Sequence, residues 1–327
     1  MDVTGKIKRK LWSAFVKKTR QTFLYPYIYR SYWHSLFFKG TGTLDKQNFY
    51  FSAKPNPGAG VGHQLANWIA GYWFARKFGL RFAYFPFSSG MWEAFLGFGE
   101  NETDAATLFK SGYQRVRLPL FHEFNEKEVN CIKKIMRSYG NKKVVFIAEQ
   151  DQFYKAQFGV IKEIQHKFYS APARQNDVLI FKPGDYNIAI HVRRGDIVTE
   201  SSNKIPNKSL RFQGNDYFVK VLESVIKKIK TDKPIAIYLF SQGEIKDFSD
   251  FSHFPNIRFC LEMNAMNSFN HMVHSDALIT SKSSFSYKAA LLNRGLKICP
   301  KNFWHGYPDT GDFVIAEEDG SINWKQL

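Results

Sequence analysis

The sequence predicts an α/β protein in which each of two halves is built on a mostly parallel sheet. From residue 48 onward, short apolar runs typical of strands alternate with segments whose apolar residues recur at helical spacing. Strands separated by helices form βαβ units, and such units build parallel sheets. A length of 327 residues allows two domains or one large one, and the repetition of the pattern favours two Rossmann-like domains facing across a cleft.

The elements follow in chain order. In the first half, the expected strands are 49–52, 81–85 and 144–148, and the expected helices are 63–78, 126–138 and 158–168. In the second half, the expected strands are 188–192, 235–240, 257–261, 277–280 and 296–299, and the expected helices are 216–229, 268–274 and 286–293.

Polar residues after Pro172 are the expected hinge between the halves. The expected organisation is therefore a basic aromatic N-terminal extension over 1–47, an N-terminal acceptor domain over 48–176 and a C-terminal nucleotide-sugar donor domain over 177–327. The extension interleaves bases with aromatic rings over residues 6–38. Two interpretations stay open for it: contact with an anionic membrane surface, or a helical segment packed onto the first domain.

Charge narrows the classes of partner. Lys and Arg number 46 against 29 Asp and Glu, a net charge of +17, which favours polyanions, acidic membranes or phosphorylated ligands. No nucleic-acid-binding motif accompanies this charge in the sequence, so a nucleic-acid partner is not expected. An ordinary apolar fraction of 44% excludes a disordered or collagenous chain.

The expected location is the cytoplasm, either free or bound peripherally to the inner face of a membrane. Three scattered cysteines give no disulfide framework and no CxxC metal site, which suits a reducing compartment. The sequence shows neither a secretory leader nor an apolar run of about 18 residues.

The strongest motif is His191-Val-Arg193-Arg194-Gly-Asp196, which ends an apolar strand. Two guanidinium groups match phosphate oxygens and can neutralise a diphosphate without a metal, and Asp196 can hold one of them in place. A solvated loop with an Arg–Asp ion pair explains the same composition.

Two further loops stand between a strand and a helix. Ser283, Ser284, Phe285 and Ser286 begin a helix, where hydroxyls and free N–H groups bind anions or simply cap the helix. The glycine-rich loop 58–62 allows close approach of the backbone but matches no phosphate-binding pattern.

Together these segments resemble the α1,2-, α1,6- and protein O-fucosyltransferase superfamily. The first motif is similar to its HxRRxD element, and Ser283–Leu292 is similar to its SxFSxxAAxL element. Gly60-Val-Gly62-His63-Gln64 resembles the GxxGNQ loop of α1,2-fucosyltransferases. The resemblance covers short islands between residues 58 and 293.

The resemblance implies a GT-B type enzyme that transfers fucose from GDP-fucose to a glycan hydroxyl, with inversion and with neither metal nor cofactor. Arg193 would meet the leaving β-phosphate, with Asp196 beside it. His191 and residues 267–270 would lie near the guanine. The residues that would bind the donor are Gly60, Gly62, His191, Arg193, Arg194, Ser283, Ser284, Phe285 and Ser286.

Two residues depart from the family pattern. His63 replaces an Asn and is either a general base for the acceptor hydroxyl or a hydrogen-bonding partner. Gln242 replaces an Asp, which leaves the donor open. Two alternatives therefore remain: a GT-B transferase for another nucleotide sugar, and a non-catalytic protein that binds polyanions or membranes.

Overall fold

A computed structural model describes residues 3–38, 40, 44, 47–55, 59–148, 154–195 and 211–324. By contacts the chain forms two compact units. The first unit contains Met1–Lys54, Ala70–Phe85 and Asn101–Tyr154, and the second contains Pro55–Ile69, Pro86–Glu100 and Lys155–Leu327. The domain limits expected from the sequence, which lie at 47/48 and 176/177, stay a prediction.

The first unit is built on a five-stranded parallel sheet in the order β3-β2-β1-β5-β4. Its central strands β1 and β5 are apolar runs, and every residue of both is buried, as expected when both faces of a parallel sheet are covered. The strands are β1 (Phe49–Ala53), β2 (Arg81–Tyr84), β3 (Thr103–Asp104), β4 (Gln114–Arg117) and β5 (Val144–Ala148).

Two helices precede β1, and further helices connect the strands of this sheet along the chain. The helices of the first half of the chain are α1 (Val3–Thr19), α2 (Arg30–Phe37), α3 (Val61–Phe78), α4 (Gly90–Leu96), α5 (Ala105–Lys110) and α6 (Glu126–Ser138). Residues 61–69 of α3 and all of α4 belong to the second unit.

The N-terminal helices pack onto the first unit. Val16 of α1 joins Tyr25, Tyr29 and Leu120 in one buried cluster. Arg20 donates to the Leu120 carbonyl and contacts the Glu128 carboxylate at 3.1 Å. Over residues 3–37 the extension is therefore mostly helical, and α1 packs onto the unit through one of its faces.

The second unit carries a six-stranded parallel sheet in the order β11-β10-β9-β6-β7-β8. Its strands are β6 (Tyr186–His191), β7 (Ile235–Phe240), β8 (Ile257–Cys260), β9 (Ala277–Ile279), β10 (Leu296–Pro300) and β11 (Phe313–Ala316). Its remaining helices are α7 (Ile161–Ser170), α8 (Asn215–Lys228), α9 (Ala265–His274) and α10 (Ser284–Leu292).

The strand order of the second sheet reverses between β6 and β9. From β6 the chain adds β7 and β8 on one side, then crosses to the other side for β9, β10 and β11. In open parallel sheets, ligands bind outside the carboxyl ends of the strands at such a reversal. The fold thus singles out the edge of the sheet where β6 and β9 end.

The predicted α/β class with two Rossmann-like halves is confirmed, and every expected strand and helix is present with ends shifted by a few residues. The segment after Pro172 lies inside the second unit, where Arg174 donates to the Phe95 carbonyl at 2.9 Å and contacts Asp177 at 3.4 Å. Among the described residues, none of the helices combines the length and apolar character needed to span a bilayer.

Candidate functional site

A cleft of about 570 Å³ opens at the carboxyl ends of the strands in the second unit. Strand β6 is hydrogen-bonded to both β7 and β9, so the loops after these three strands meet at one edge of the sheet. Residues from the loops before α3, after β10 and before α9 complete the lining. The lining residues are Ala59–His63, His191–Arg194, Arg211, Phe240–Gln242, Met263, Ala265, Ser268, Ser283–Phe285 and Trp304.

Three helices of the second unit begin at this cleft, because Val61, Ala265 and Ser284 are the first residues of α3, α9 and α10 and all line it. The backbone N–H groups of a first helical turn have no partner within the helix, and the helix dipole adds partial positive charge there. Phosphate groups bind at such N-termini. Three N-termini at one cleft therefore favour the binding of an anion there.

The beginnings of α3 and α10 touch each other at Gly62. A Cβ atom at this position would lie 2.7 Å from the carbonyl carbon and oxygen of Ser284 and 2.9 Å from the Phe285 nitrogen. No side chain fits into that space. Glycine is required here because it lets the two helix N-termini approach this closely.

Arginine side chains add full positive charge, since Arg193, Arg194 and Arg211 all line the cleft. Arg194 is fixed by the protein: its guanidinium donates to the Gln213 carbonyl at 3.0 Å and to Asn215 Oδ1 at 2.6 Å. It also lies 4.8 Å from the centre of the Phe212 ring.

Gly195 follows with a φ of +61°, a conformation that glycine adopts without strain.

His191 lies at the end of β6, where its Nδ1 is 2.8 Å from Ser281 Oγ. Loss of hydration, followed by the nearby Arg193 charge, lowers the pKa of His191 to about 3. The ring is therefore neutral at physiological pH. It also lies 5.5 Å from the Phe285 ring, so both rings border the same part of the cleft.

Ser286 does not line the cleft. Its side chain is fully buried, and its hydroxyl lies 3.3 Å from the Ser281 nitrogen and 3.4 Å from Ser281 Oγ. It therefore holds the loop between β9 and α10 from inside. Ser283 caps α10 by accepting a hydrogen bond from the Phe285 nitrogen at 3.3 Å.

His63 is exposed in the first turn of α3 and lines the cleft. It interacts electrostatically with His305, which stacks on Tyr287 at 5.0 Å. Burial, with smaller effects of Lys288 and His63, lowers the pKa of His305 to about 2. Lys288 is itself buried and donates to Gln157 Oε1 at 2.8 Å, and burial lowers its pKa well below the ordinary value.

The structure brings most of the sequence-derived candidates together. Those that line the one cleft are Gly60, Gly62, His63, His191, Arg193, Arg194, Ser283, Ser284 and Phe285. Asp196 and Gly58 lie outside the described residues. Of residues 267–270, only Ser268 lines the cleft, and the buried Asn270 instead accepts from Arg174 at 3.2 Å. The roles of these residues stay predictions.

Sequence reasoning missed Arg211 and Trp304, which lie in loops without a motif. The Arg211 guanidinium is 5.5 Å from the Trp304 ring, and both residues line the cleft. One signal was available for Trp304. It follows β10, and loops after neighbouring parallel strands lie at the same edge of a sheet.

No protein-family model matches the chain, and no curated protein matches it significantly. Solved structures show a distant likeness. One is NodZ α-1,6-fucosyltransferase soaked with GDP-fucose, with 14% identity over 80% of this chain and 98% of that chain and a TM-score of 0.42. Another is POFUT1 in complex with GDP (12% identity, 78% and 99% coverage, TM-score 0.42). A third is E. coli heptosyltransferase WaaC with ADP (8% identity, 82% and 93% coverage, TM-score 0.41).

Proposed function

We propose that the chain is a glycosyltransferase that takes a sugar from a nucleoside diphosphate sugar, with the diphosphate held at the cleft of the second unit. One observation carries the proposal: Arg193 and the N-termini of α3, α9 and α10 line the same cleft at the reversal of the strand order. Each of these groups favours a phosphate oxygen, and together they suit a doubly charged diphosphate.

The same groups suit the chemistry of transfer. When the bond between the anomeric carbon and the β-phosphate oxygen breaks, negative charge develops on the leaving diphosphate. A guanidinium and helix N-termini fixed near that oxygen stabilise the transition state more than the bound donor. In this proposal Arg193 meets the leaving group, and the diphosphate charge is neutralised by protein groups, with no metal required.

His63 is the proposed general base. Among the described residues that line the cleft, none carries a carboxylate, and the histidines are His63 and His191. His191 is a poor base because its pKa is lowered to about 3. In the proposed step, His63 takes the proton of the acceptor hydroxyl. The acceptor oxygen then bonds to the anomeric carbon as the diphosphate leaves from the opposite face, which inverts the configuration.

Fucose as the sugar and guanine as the base rest on the motifs around Arg193, Ser284 and Gly62. Gln242 lines the cleft where the family pattern has an acidic residue, which keeps a different nucleotide sugar as the second candidate. The acceptor is a glycan hydroxyl.

Thermal-shift titration with GDP, UDP, ADP and CDP tests the site, since a ligand of the native state raises the unfolding midpoint with concentration. GDP is expected to give the largest shift, and EDTA should leave that shift unchanged. Incubation with GDP-fucose and a glycan mixture should then release GDP. A larger shift with another diphosphate would move the proposal to that donor. Absence of a shift with every diphosphate would refute it.

A further inference from the structure

Helix α1 carries two distinct apolar faces. Trp12 and Val16 face the body of the first unit, where Val16 belongs to a buried cluster. Ile7, Leu11 and Phe15 are exposed instead, and Leu11 is 67% exposed. Residues spaced by four lie on one side of a helix, so these three form a continuous stripe about 12 Å long. Packing of α1 onto the unit leaves this stripe uncovered.

A second exposed apolar group follows in the same unit. Phe23 is 82% exposed in the connection after α1, and Phe37 at the end of α2 is 74% exposed. Trp33 and Phe37 are one helical turn apart and stack at 6.2 Å. The indole of Trp33 donates to the Tyr27 carbonyl at 2.7 Å, which fixes its orientation. Contiguous exposed rings such as the stacked pair Trp33 and Phe37, unlike single exposed side chains, are typical of an interaction surface.

Basic residues accompany both groups. Lys8, Lys10, Lys17 and Lys18 are exposed on α1, and Arg30 is exposed at the start of α2. Over residues 1–54, eleven Lys and Arg stand against two Asp. Exposed rings beside a dense positive charge match the boundary of an anionic bilayer, where apolar groups enter the acyl region and lysines stay among the headgroups.

We infer that the stripe Ile7–Leu11–Phe15 and the rings of Phe23, Trp33 and Phe37, here called the N-terminal apolar surface, dock on an anionic lipid bilayer. The positive charge of the neighbouring lysines argues against a second copy of the chain as the partner that covers this surface. Protein interfaces are depleted in lysine, and a twofold contact would bring the lysines of both copies together. A soluble polyanion would use the lysines but would not account for the exposed rings.

Cosedimentation of the whole chain with vesicles tests whether the N-terminal apolar surface binds lipid. Binding is expected to vesicles of phosphatidylcholine with phosphatidylglycerol and to be much weaker with phosphatidylcholine alone. Leu11→Ser/Phe15→Ser should weaken binding by roughly tenfold or more, because both side chains enter the bilayer. Lys17→Gln/Lys18→Gln should weaken it by about fivefold per lysine. These residues contribute little to the buried core, so the unfolding midpoint should change only slightly.

Lys227→Gln/Lys230→Gln is the matched control, since it removes two exposed lysines from the second unit. It should bind vesicles like the parent. Brominated lipids should quench the fluorescence of the parent more than that of Trp33→Phe. Equal binding by Leu11→Ser/Phe15→Ser and the parent would overturn the inference in favour of charge alone. A dimer in solution that this variant dissolves would overturn it in favour of a second copy.

Discussion

Gly62 and Ser284 lie in direct contact, and a Cβ atom on Gly62 would approach the Ser284 carbonyl carbon and oxygen to 2.7 Å. The contact joins the first turns of α3 and α10 at the cleft. The shape of the cleft between these two N-termini is therefore set by the absence of one side chain.

Gly62→Ala is therefore expected to separate these two N-termini. Overpacking of this kind costs about 1–3 kcal/mol in the free energy of unfolding, and GDP affinity should fall by roughly tenfold or more, since two donors to the phosphates move apart. Calorimetric titration and urea unfolding measure the two effects. Gly90→Ala is the control because a Cβ there has no atom within 4 Å. Parent-like GDP affinity in Gly62→Ala would contradict the role of the contact.

Arg193→Ala should weaken GDP binding by roughly a hundredfold, because hydrogen bonds between a guanidinium and phosphate are charge-assisted. Arg193→Lys should fall between the parent and Arg193→Ala, since lysine keeps the charge but loses the planar fork. Calorimetric titration with GDP checks the order. Arg258→Ala removes an exposed arginine of β8 that does not line the cleft and serves as the control. An Arg193→Ala protein that binds GDP and transfers sugar normally would remove Arg193 from the mechanism.

His63→Asn should lower kcat by more than roughly a hundredfold while GDP affinity stays unchanged, because a general base acts on the acceptor and not on the diphosphate. Imidazole in the buffer should partly restore a His63→Ala variant, since the position is exposed. Replacement of the exposed His166 by Asn is the matched control. If His63→Asn transfers sugar at the parent rate, His63 only positions the ligand.

Acid should destabilise the protein through its buried histidines. The folded pKa values of His305 and His191, about 2 and about 3, lie below the value near 6.5 of an unfolded histidine. Below pH 6.5 the unfolded chain binds protons that the folded chain excludes. The free energy of unfolding therefore falls with pH, by up to about 1.4 kcal/mol per pH unit for each such histidine.

Urea unfolding at about pH 7, 5.5 and 4 measures how steeply the free energy of unfolding changes with pH. His305→Gln should flatten this dependence by removing one titrating group. A slope in His305→Gln equal to that of the parent would show that His305 does not stay neutral in the folded protein.

Periodicity predicted the central strands well because they are continuous apolar runs, buried on both faces. It missed β4, an edge strand in which Val116 alone is buried between charged, exposed residues. It also missed β11, which follows loop residues without a helical signal. Strands of this kind are defined by the partner they pair with, and a local pattern does not carry that information.

Part of the cleft could be predicted from the order of strands and helices along the chain. Arg193 and Ser284 stand at strand ends, and topology places such ends together. The buried position of Ser286 could not be foreseen, because the sequence does not distinguish a serine that faces ligand from one that braces a loop. Arg211 was missed because it comes from a segment before α8 that has no pattern of its own.

The lining of the cleft begins at Ala59 and ends at Trp304, with α3 entering the second unit from far upstream in the chain. A fragment that starts at residue 155 would keep all six strands of the second sheet. It would lack Gly60 and Gly62, which lie at the beginning of α3. During synthesis, Gly62 is made about 220 residues before Ser284, the residue that it contacts. Such a fragment would keep Arg193 and the N-termini of α9 and α10 but lose that of α3, so it is expected to bind GDP more weakly than the whole chain.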